Sequence, residues 1–258
     1  MKFILTYFIL ILIVGAQDFQ AQTINKRANF IECDALGNIY TIETSEISKF
    51  NSNGIFQSRY SNNIYGTIKS IDVQNPFKIL LFFDDLSTII FLDQNLTEIS
   101  ESFDIYEKTN LEASLVCQGK DKGIWLYSPV SKTLYKLNQQ LAIIYQSQNL
   151  NGFFNGNEPF QLIEKNQNLF LVSNKRILVF DFFGTYLHSI FLSDINKISV
   201  TTSSLSFYKN GFEMKYHLIA KKLDSLPIAN EKTLLLDVKW ASNKKVLQFE
   251  DRIEIIKQ

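Results

Sequence analysis

Few side chains in this sequence have the types and the spacing that catalysis or metal binding requires. The acids that could supply oxygen ligands to a hard cation such as Ca²⁺ are Glu32, Asp72, Glu112 and Glu164. The sequence has no HExxH, paired CxxC, GxSxG, GxxxxGK[ST] or GxGxxG motif. We therefore predict no catalytic residue and no cofactor, and the four acids could act together only if the fold brings them together.

A strand–turn–strand pattern recurs along the chain, and its clearest copy is LFLVSNKRILVFD at residues 169–181. In each copy a polar residue ends the second strand of the pair. These markers are Asn51, Asp93, Asn138, Asp181 and, as a fifth, Asp224. The first four markers are 42, 45 and 43 residues apart, and a further step of 43 leads to Asp224. The first strand of that fifth pair, at residues 212–215, is the least apolar of the set.

This regularity predicts an all-β fold, a six-bladed β-propeller, because a unit of about 40–45 residues with four short strands is typical of a propeller blade. Five units are expected near residues 29–60, 67–102, 113–147, 160–192 and 197–226. A sixth begins near 233 and ends one strand short. The alternative is a β-sandwich with accidental regularity.

The missing strand leaves an open edge, which invites aggregation. Residues 22–28 read as extended, precede the first unit and have no hairpin partner of their own. We predict that this N-terminal strand completes the sixth blade and closes the ring.

Two segments carry a resemblance to known proteins: DVQNPFKILLFF at residues 72–83 and RILVFDFFG at 176–184. With six units of this length, they resemble the NHL-like six-bladed β-propellers and a largely uncharacterised family of exported bacterial propellers. The resemblance covers nearly all of the mature chain and implies a scaffold. Some six-bladed propellers are calcium-dependent lactonases or esterases, so the resemblance also implies, as an alternative, a metal site on the axis. Glu32, Asp72, Glu112 and Glu164 lie in or near predicted first strands and could project toward it.

The amino terminus has the pattern of a secretory signal peptide. Lys2 precedes the apolar run Phe3–Val14, which is too short to span a bilayer comfortably. We expect residues 1–21 to be removed, with cleavage after Ala16 or Ala21, and the protein to reach the periplasm, the cell envelope or the medium. Residues 22–258 are then predicted to form a single propeller domain.

Charge argues against a nucleic-acid partner. Lys and Arg total 26, as do Asp and Glu, so the formal net charge is zero. Nucleic-acid binders usually carry a clustered basic excess, because neutralising phosphates supplies most of their affinity.

Neither the cysteines nor the histidines suggest a site. Cys33 and Cys117 end first strands of non-adjacent units, so a disulfide, which needs a Cα separation below about 7 Å, is not expected. We interpret both as small buried hydrophobic residues. His188 and His217 fall at different phases of the repeat, and both are interpreted as strand or surface residues.

The connection at residues 150–160, LNGFFNGNEPF, is longer than a tight turn requires. Long loops on rigid scaffolds often carry binding function, and exposed aromatic side chains are enriched at interfaces. The candidate partner-binding residues are Phe153, Phe154, Asn155 and Phe160. The alternative is that Phe153 and Phe154 plug the space between two blades.

Together these features favour an exported, non-enzymatic scaffold that binds a protein partner, with no stable membrane span and a monomeric state. One alternative is a calcium-dependent lactonase or esterase with its site on the propeller axis. Another is a sensor of carbohydrates or other small ligands.

Overall fold

The computed structural model describes residues 22–154, 156–228, 234–241 and 243–257. These residues form six antiparallel sheets of four strands each. Residues in or beside the first strand of every sheet line one central cavity, so the sheets are the blades of a propeller. The predicted six-bladed β-propeller is confirmed.

Strand β1 is Gln22–Ile24. Blade one contains β2 Phe30–Cys33, β3 Ile39–Glu43, β4 Glu46–Phe50 and β5 Phe56–Ser61. Blade two contains β6 Ser70–Asp72, β7 Ile79–Phe83, β8 Thr88–Leu92 and β9 Phe103–Asp104. After helix α1 (Ile105–Thr109), blade three contains β10 Leu115–Gln118, β11 Ile124–Ser128, β12 Thr133–Leu137 and β13 Ile143–Gln146.

The short helix α2 (Asn151–Phe154) leads into the second half of the ring. Blade four contains β14 Gln161–Lys165, β15 Asn168–Val172, β16 Arg176–Asp181 and β17 Tyr186–Phe191. Blade five contains β18 Ser199–Val200, β19 Ser204–Lys209, β20 Phe212–His217 and β21 Lys222–Pro227. Blade six contains β22 Leu235–Ala241, β23 Lys244–Phe249 and β24 Ile253–Lys257.

The middle strands are apolar on both faces because each blade is sandwiched between its neighbours. In blade two, β7 (ILLFF) and β8 (TIIFL) are buried at every position. One face of these strands packs on blade one and the other on blade three, in separate hydrophobic clusters. Stacking therefore supplies the core that no single blade could bury alone.

The marker residues of the sequence repeat hold the turn between the third and fourth strands. Asn51, Asp93, Asn138 and Asp181 each accept, through Oδ1, the backbone N–H groups two and four residues ahead, at 2.8–3.0 Å. A short side chain that bonds its own backbone in this way fixes a tight turn. The repeat therefore has a physical basis in the first four blades.

Blade five departs from the predicted register. Asp224 lies inside the outer strand β21, opposite Lys215, and does not end a third strand. Phe212–Lys215 belongs to the third strand, because β19 has already formed the second. The error arose because β21 is largely solvent-exposed and β20 is mostly half-buried, so both lack the apolar runs that identify the middle strands elsewhere.

The N-terminal strand closes the ring, as predicted. β1 pairs antiparallel with β24, with Gln22 opposite Ile255 and Ile24 opposite Ile253. It completes blade six in the order β1-β24-β23-β22. The strand is three residues long, shorter than the extended segment 22–28 expected from the sequence.

Helices are few and short in the described part of the chain. Helix α1 is capped by the Asp104 side chain, which accepts a hydrogen bond from the Glu107 backbone N–H, and α2 is a single turn. No helix within the described ranges is long and apolar enough to cross a membrane. The predicted signal peptide, residues 1–21, lies outside those ranges.

Candidate functional site

The central channel is a concave feature of the described structure that residues of all six blades line. It encloses a cavity of about 600 Å³. Every blade contributes to its lining, through residues such as Glu32, Asp72, Cys117, Ile163, Ser199 and Lys239. A cavity of this size is within the range of small-molecule sites.

The four acids proposed as metal ligands do not come together. Glu32 and Asp72 line the channel. Glu112 is exposed to solvent, and Glu164 is buried behind the channel wall. Among the described residues, no group of three or more His, Cys, Asp or Glu side chains is placed to hold a metal ion.

Strand alternation sets which blade Glu164 contacts. Neighbouring residues of a strand point to opposite faces of the blade, and Ile163 packs against the hydrophobic cluster between blades four and five. Glu164 therefore points toward blade three, where Oε2 accepts a hydrogen bond from Trp125 Nε1 at 2.7 Å and Oε1 accepts one from the Lys120 backbone N–H at 2.8 Å. The carboxylate thus joins two blades.

Glu32 is held in a network of alternating charge. Its Oε1 lies 3.0 Å from Lys239 Nζ and 3.3 Å from Lys197 Nζ. Asp237 Oδ2 lies 3.6 Å from Lys197 Nζ and 3.8 Å from Lys239 Nζ. Two carboxylates and two ammonium groups neutralise one another, and the network joins blades one, five and six.

The network shifts the titration of its members. Burial alone would raise the pKa of Glu32, but attraction by Lys239 and Lys197 outweighs it, so the pKa is lowered. Burial would lower the pKa of Lys239, but Glu32 and Asp237 outweigh it, so the pKa is raised. Both groups therefore stay charged near neutral pH, which suits an ion pair better than proton transfer.

Asp72 is bound by backbone amides. Its Oδ2 accepts a hydrogen bond from the Gln118 N–H at 2.8 Å, and its Oδ1 accepts one from the Gln74 N–H at 3.0 Å. Burial raises its pKa despite these hydrogen bonds. The first bond crosses from blade two to blade three, so Asp72 also links neighbouring blades.

The two cysteines are free thiols, as predicted. Both line the channel, Cys117 fully buried and Cys33 partly buried. Burial raises the pKa of each thiol, so neither is an activated nucleophile.

The histidines lie on strands of different blades, as predicted. His188 is exposed on β17, and His217 on β20 approaches Asp224 Oδ2 at 3.1 Å. Neither contributes to the channel lining.

The predicted partner-binding residues are dispersed. Phe154 is only 4% exposed and packs against Tyr127 between blades three and four, so it plugs that space as the alternative interpretation expected. Phe160 is half-buried and lines the channel. Phe153 is half-buried, with its ring centroid 5.1 Å from that of Tyr186, and Asn155 lies outside the described residues.

Tyr186 belongs to an apolar surface that sequence reasoning missed. Tyr186 and Phe191 pair with Phe180 and Arg176, which are four residues apart on β16, so they point to the same face of blade four. Phe183 lies in the turn just before β17. We call Phe153, Phe183, Tyr186 and Phe191 the aromatic strip.

The strip is substantially exposed. Phe183 and Phe191 are each 67% exposed and Tyr186 is 38% exposed. In the turn 182–184, Gly184 packs on blade three: its lack of a side chain lets the Tyr145 ring lie against it, and Tyr145 Oη donates a hydrogen bond to the Gly184 carbonyl at 2.7 Å. Phe183 instead faces solvent.

Comparison with known proteins supports the fold. No family model matches the chain, and no curated protein matches it. A protein from Bacteroides fragilis, whose export is itself only inferred, has a TM-score of 0.64 at 12% identity over 91% of each chain. The WD40 domain of Neurospora crassa Pan2 has a TM-score of 0.63 at 8% identity, over 89% of this chain and 88% of that domain.

A third similar structure is an enzyme. A catalytically inactive variant of virginiamycin B lyase from Staphylococcus aureus, solved with quinupristin, has a TM-score of 0.60 at 10% identity. The match covers 94% of this chain and 97% of the lyase. The shared feature is the propeller. At these identities the similarity carries no activity from one chain to another.

Proposed function

We propose that the protein is an exported, non-enzymatic β-propeller scaffold that binds a protein partner in the periplasm or cell envelope. The observation that supports this best is the aromatic strip on the outer edge of blade four. The signal-peptide pattern of residues 1–21 supports export. A monomeric state remains part of the proposal.

The strip combines two features of protein-binding surfaces. Strand β17 is an edge strand, with a partner on one side only within the described sheet, so its outer backbone groups are open to an added strand. Exposed Phe and Tyr side chains lie along the same edge, and aromatic residues supply much of the binding energy at interfaces.

The channel gives less support to the calcium-dependent lactonase or esterase. That activity would need Glu32, Asp72, Glu112 and Glu164 to share one site, and the structure separates them. The two of these four acids that line the channel are already engaged, Glu32 by lysines and Asp72 by backbone amides.

The test starts with cross-linking of the tagged protein in its native envelope and identification of the captured partner, followed by purification of both. We expect Phe183→Ser with Phe191→Ser to weaken binding of that partner at least about tenfold, or about 1.4 kcal/mol. The matched control is Phe56→Ser with Phe77→Ser, since these phenylalanines on blades one and two are 54% and 61% exposed. The control should bind like the wild type.

Equal binding by the strip variant and the wild type, with unchanged melting temperatures, would remove the strip as the docking surface. Failure to cross-link any stoichiometric partner would contradict the scaffold function itself. Mass spectrometry of the same sample maps the amino terminus, and an uncleaved Met1 would contradict export through a cleaved leader.

A further inference from the structure

The two walls of the central channel differ in chemistry. Blades three and four present Leu115, Cys117, Phe160 and Ile163 to the cavity. Blades one, two and six present most of the charged side chains, including Glu32, Asp72 and Lys239, interspersed with apolar residues such as Phe30, Ile71 and Trp240. The cavity is therefore amphipathic across its width, which suits a ligand with one apolar and one polar part.

Four lysines line the channel, and three of them have a carboxylate partner. Lys69 lies 2.9 Å from Asp84 Oδ2, while Lys197 and Lys239 share Glu32. Lys165 is different. It is half-buried at the end of β14, on the apolar wall, and no carboxylate oxygen of the described residues lies within ion-pairing distance of it.

Asp72, on the channel lining, is one candidate counter-ion for Lys165, and both of its oxygens are already occupied. The charge of Lys165 acts to lower the pKa of Asp72, so the two groups feel each other across the channel. However, burial dominates that carboxyl, and both of its oxygens accept backbone N–H groups. Lys165 is therefore a half-buried cation beside apolar side chains with no carboxylate partner in the described part of the chain, and a bound anion would gain a charge-assisted contact there.

We propose that the channel binds a small organic anion with an apolar body, its carboxylate at Lys165 Nζ and its body along Leu115, Phe160 and Ile163. Lys165 supplies the charge that selects an acid, and the wall of blades three and four supplies apolar contact. The site lies on the propeller axis and is independent of the aromatic strip, so it goes beyond the proposed partner-binding function.

Isothermal titration calorimetry on the purified, processed protein tests this with three probes: 3-phenylpropanoate, its neutral amide 3-phenylpropanamide, and inorganic phosphate. The acid should bind saturably with a Kd below about 1 mM. The amide, which has the same shape without the charge, and phosphate, which has charge without an apolar body, should each bind at least tenfold more weakly.

Variants assign the effect to one side chain. Lys165→Met keeps a long apolar chain and removes the charge, so it should weaken binding of the acid at least tenfold and leave binding of the amide unchanged. Lys120→Met is the matched control, because Lys120 is exposed in the first turn of blade three and does not line the cavity. Its affinity for the acid should equal that of the wild type.

Several outcomes would overturn the site. They are absence of saturable binding of the acid, equal affinities for acid and amide, or unchanged affinity in Lys165→Met with an unchanged melting temperature. If phosphate bound as tightly as 3-phenylpropanoate, the apolar wall would make no contribution to ligand binding. None of these results bears on partner capture by the aromatic strip, so the two proposals fail separately.

Discussion

At the residue scale, the channel acids hold blades together. Glu32 pairs with lysines from blades five and six, Asp72 accepts an amide from blade three, and Glu164 accepts the Trp125 indole N–H. Gln161 makes a similar link, since its side-chain amide bonds both the N–H and the carbonyl of Ile198 at 2.9 and 3.1 Å. Polar side chains on or beside inner strands thus make hydrogen bonds to buried groups of neighbouring blades. Purely apolar packing would leave those buried groups without partners.

The Glu32–Lys239 pair leads to the first prediction. Lys239→Met should destabilise the protein by about 3 kcal/mol at pH 7, at the lower end of the range for broken buried pairs. The lower figure is appropriate because 21% of the Glu32 side chain is exposed to the channel and Lys197 remains beside it. The double variant Glu32→Gln with Lys239→Met should recover most of the loss in urea unfolding, because no unpaired charge is left.

The pH dependence is the control for this prediction. The folded-state pKa of Glu32 is lowered, so its contribution is fully present above the unfolded-state value of about 4.3 and is lost as the pH falls through the lower folded value. Wild-type stability should therefore decline more steeply below about pH 5 than that of the double variant. Parallel declines would show that the pair contributes nothing specific.

At the element scale, ring closure depends on a very short strand. β1 buries only one of its three side chains, Ile24, which is 5% exposed and packs with Ile253 and Ile255 of β24. Gln22 and Thr23 face solvent. Closure is also supported by Gln248 Nε2, which donates a hydrogen bond to the Ala28 carbonyl at 2.7 Å.

The second prediction concerns this closure. Ile24→Ala should lower stability by about 3 kcal/mol, and the melting temperature by about 6–12 °C, because it opens a cavity at the join. Thr23→Ala, next to it on the exposed side, should change little. Deleting residues 22–28 should lower the melting temperature further, since β24 then becomes an open edge. A deletion variant that melts like the undeleted protein would contradict the closure.

At the scale of the whole molecule, the blades differ in how deeply they are buried. Both middle strands of blade two are buried at every position, whereas the middle strand β20 of blade five is buried at one of its six residues and the outer strand β21 is exposed at five of six. Regions with few buried contacts open locally at low free energy, while fully buried strands exchange only through larger unfolding events.

Hydrogen exchange followed by mass spectrometry should show this gradient. Amides of β7 and β8 should exchange more slowly than those of β21 by about two orders of magnitude or more. Strand β17, also an outer strand, serves as the comparison, because its Ile190 is buried against blade five. Equal protection of β21 and β7 would contradict a stability gradient around the ring.

The sequence by itself determined the architecture of this protein. The markers Asn51, Asp93, Asn138 and Asp181 revealed the repeat because each makes the same local turn, and local hydrogen bonds follow directly from sequence order. Ring closure was also predictable, since a blade one strand short requires a partner. The pattern failed in blade five, where exposure removes the apolar runs.

Only the tertiary structure decided which side chains share a site. Glu32 and Lys239 are in contact although more than 200 residues separate them in the sequence, and no local sequence pattern predicts that contact. Glu164 and Ile163 are adjacent in sequence, yet Glu164 bonds to blade three and Ile163 packs toward blade five, because a single step along a strand reverses the direction of a side chain. The channel and the aromatic strip exist only because six sheets, each formed locally, are placed around one axis.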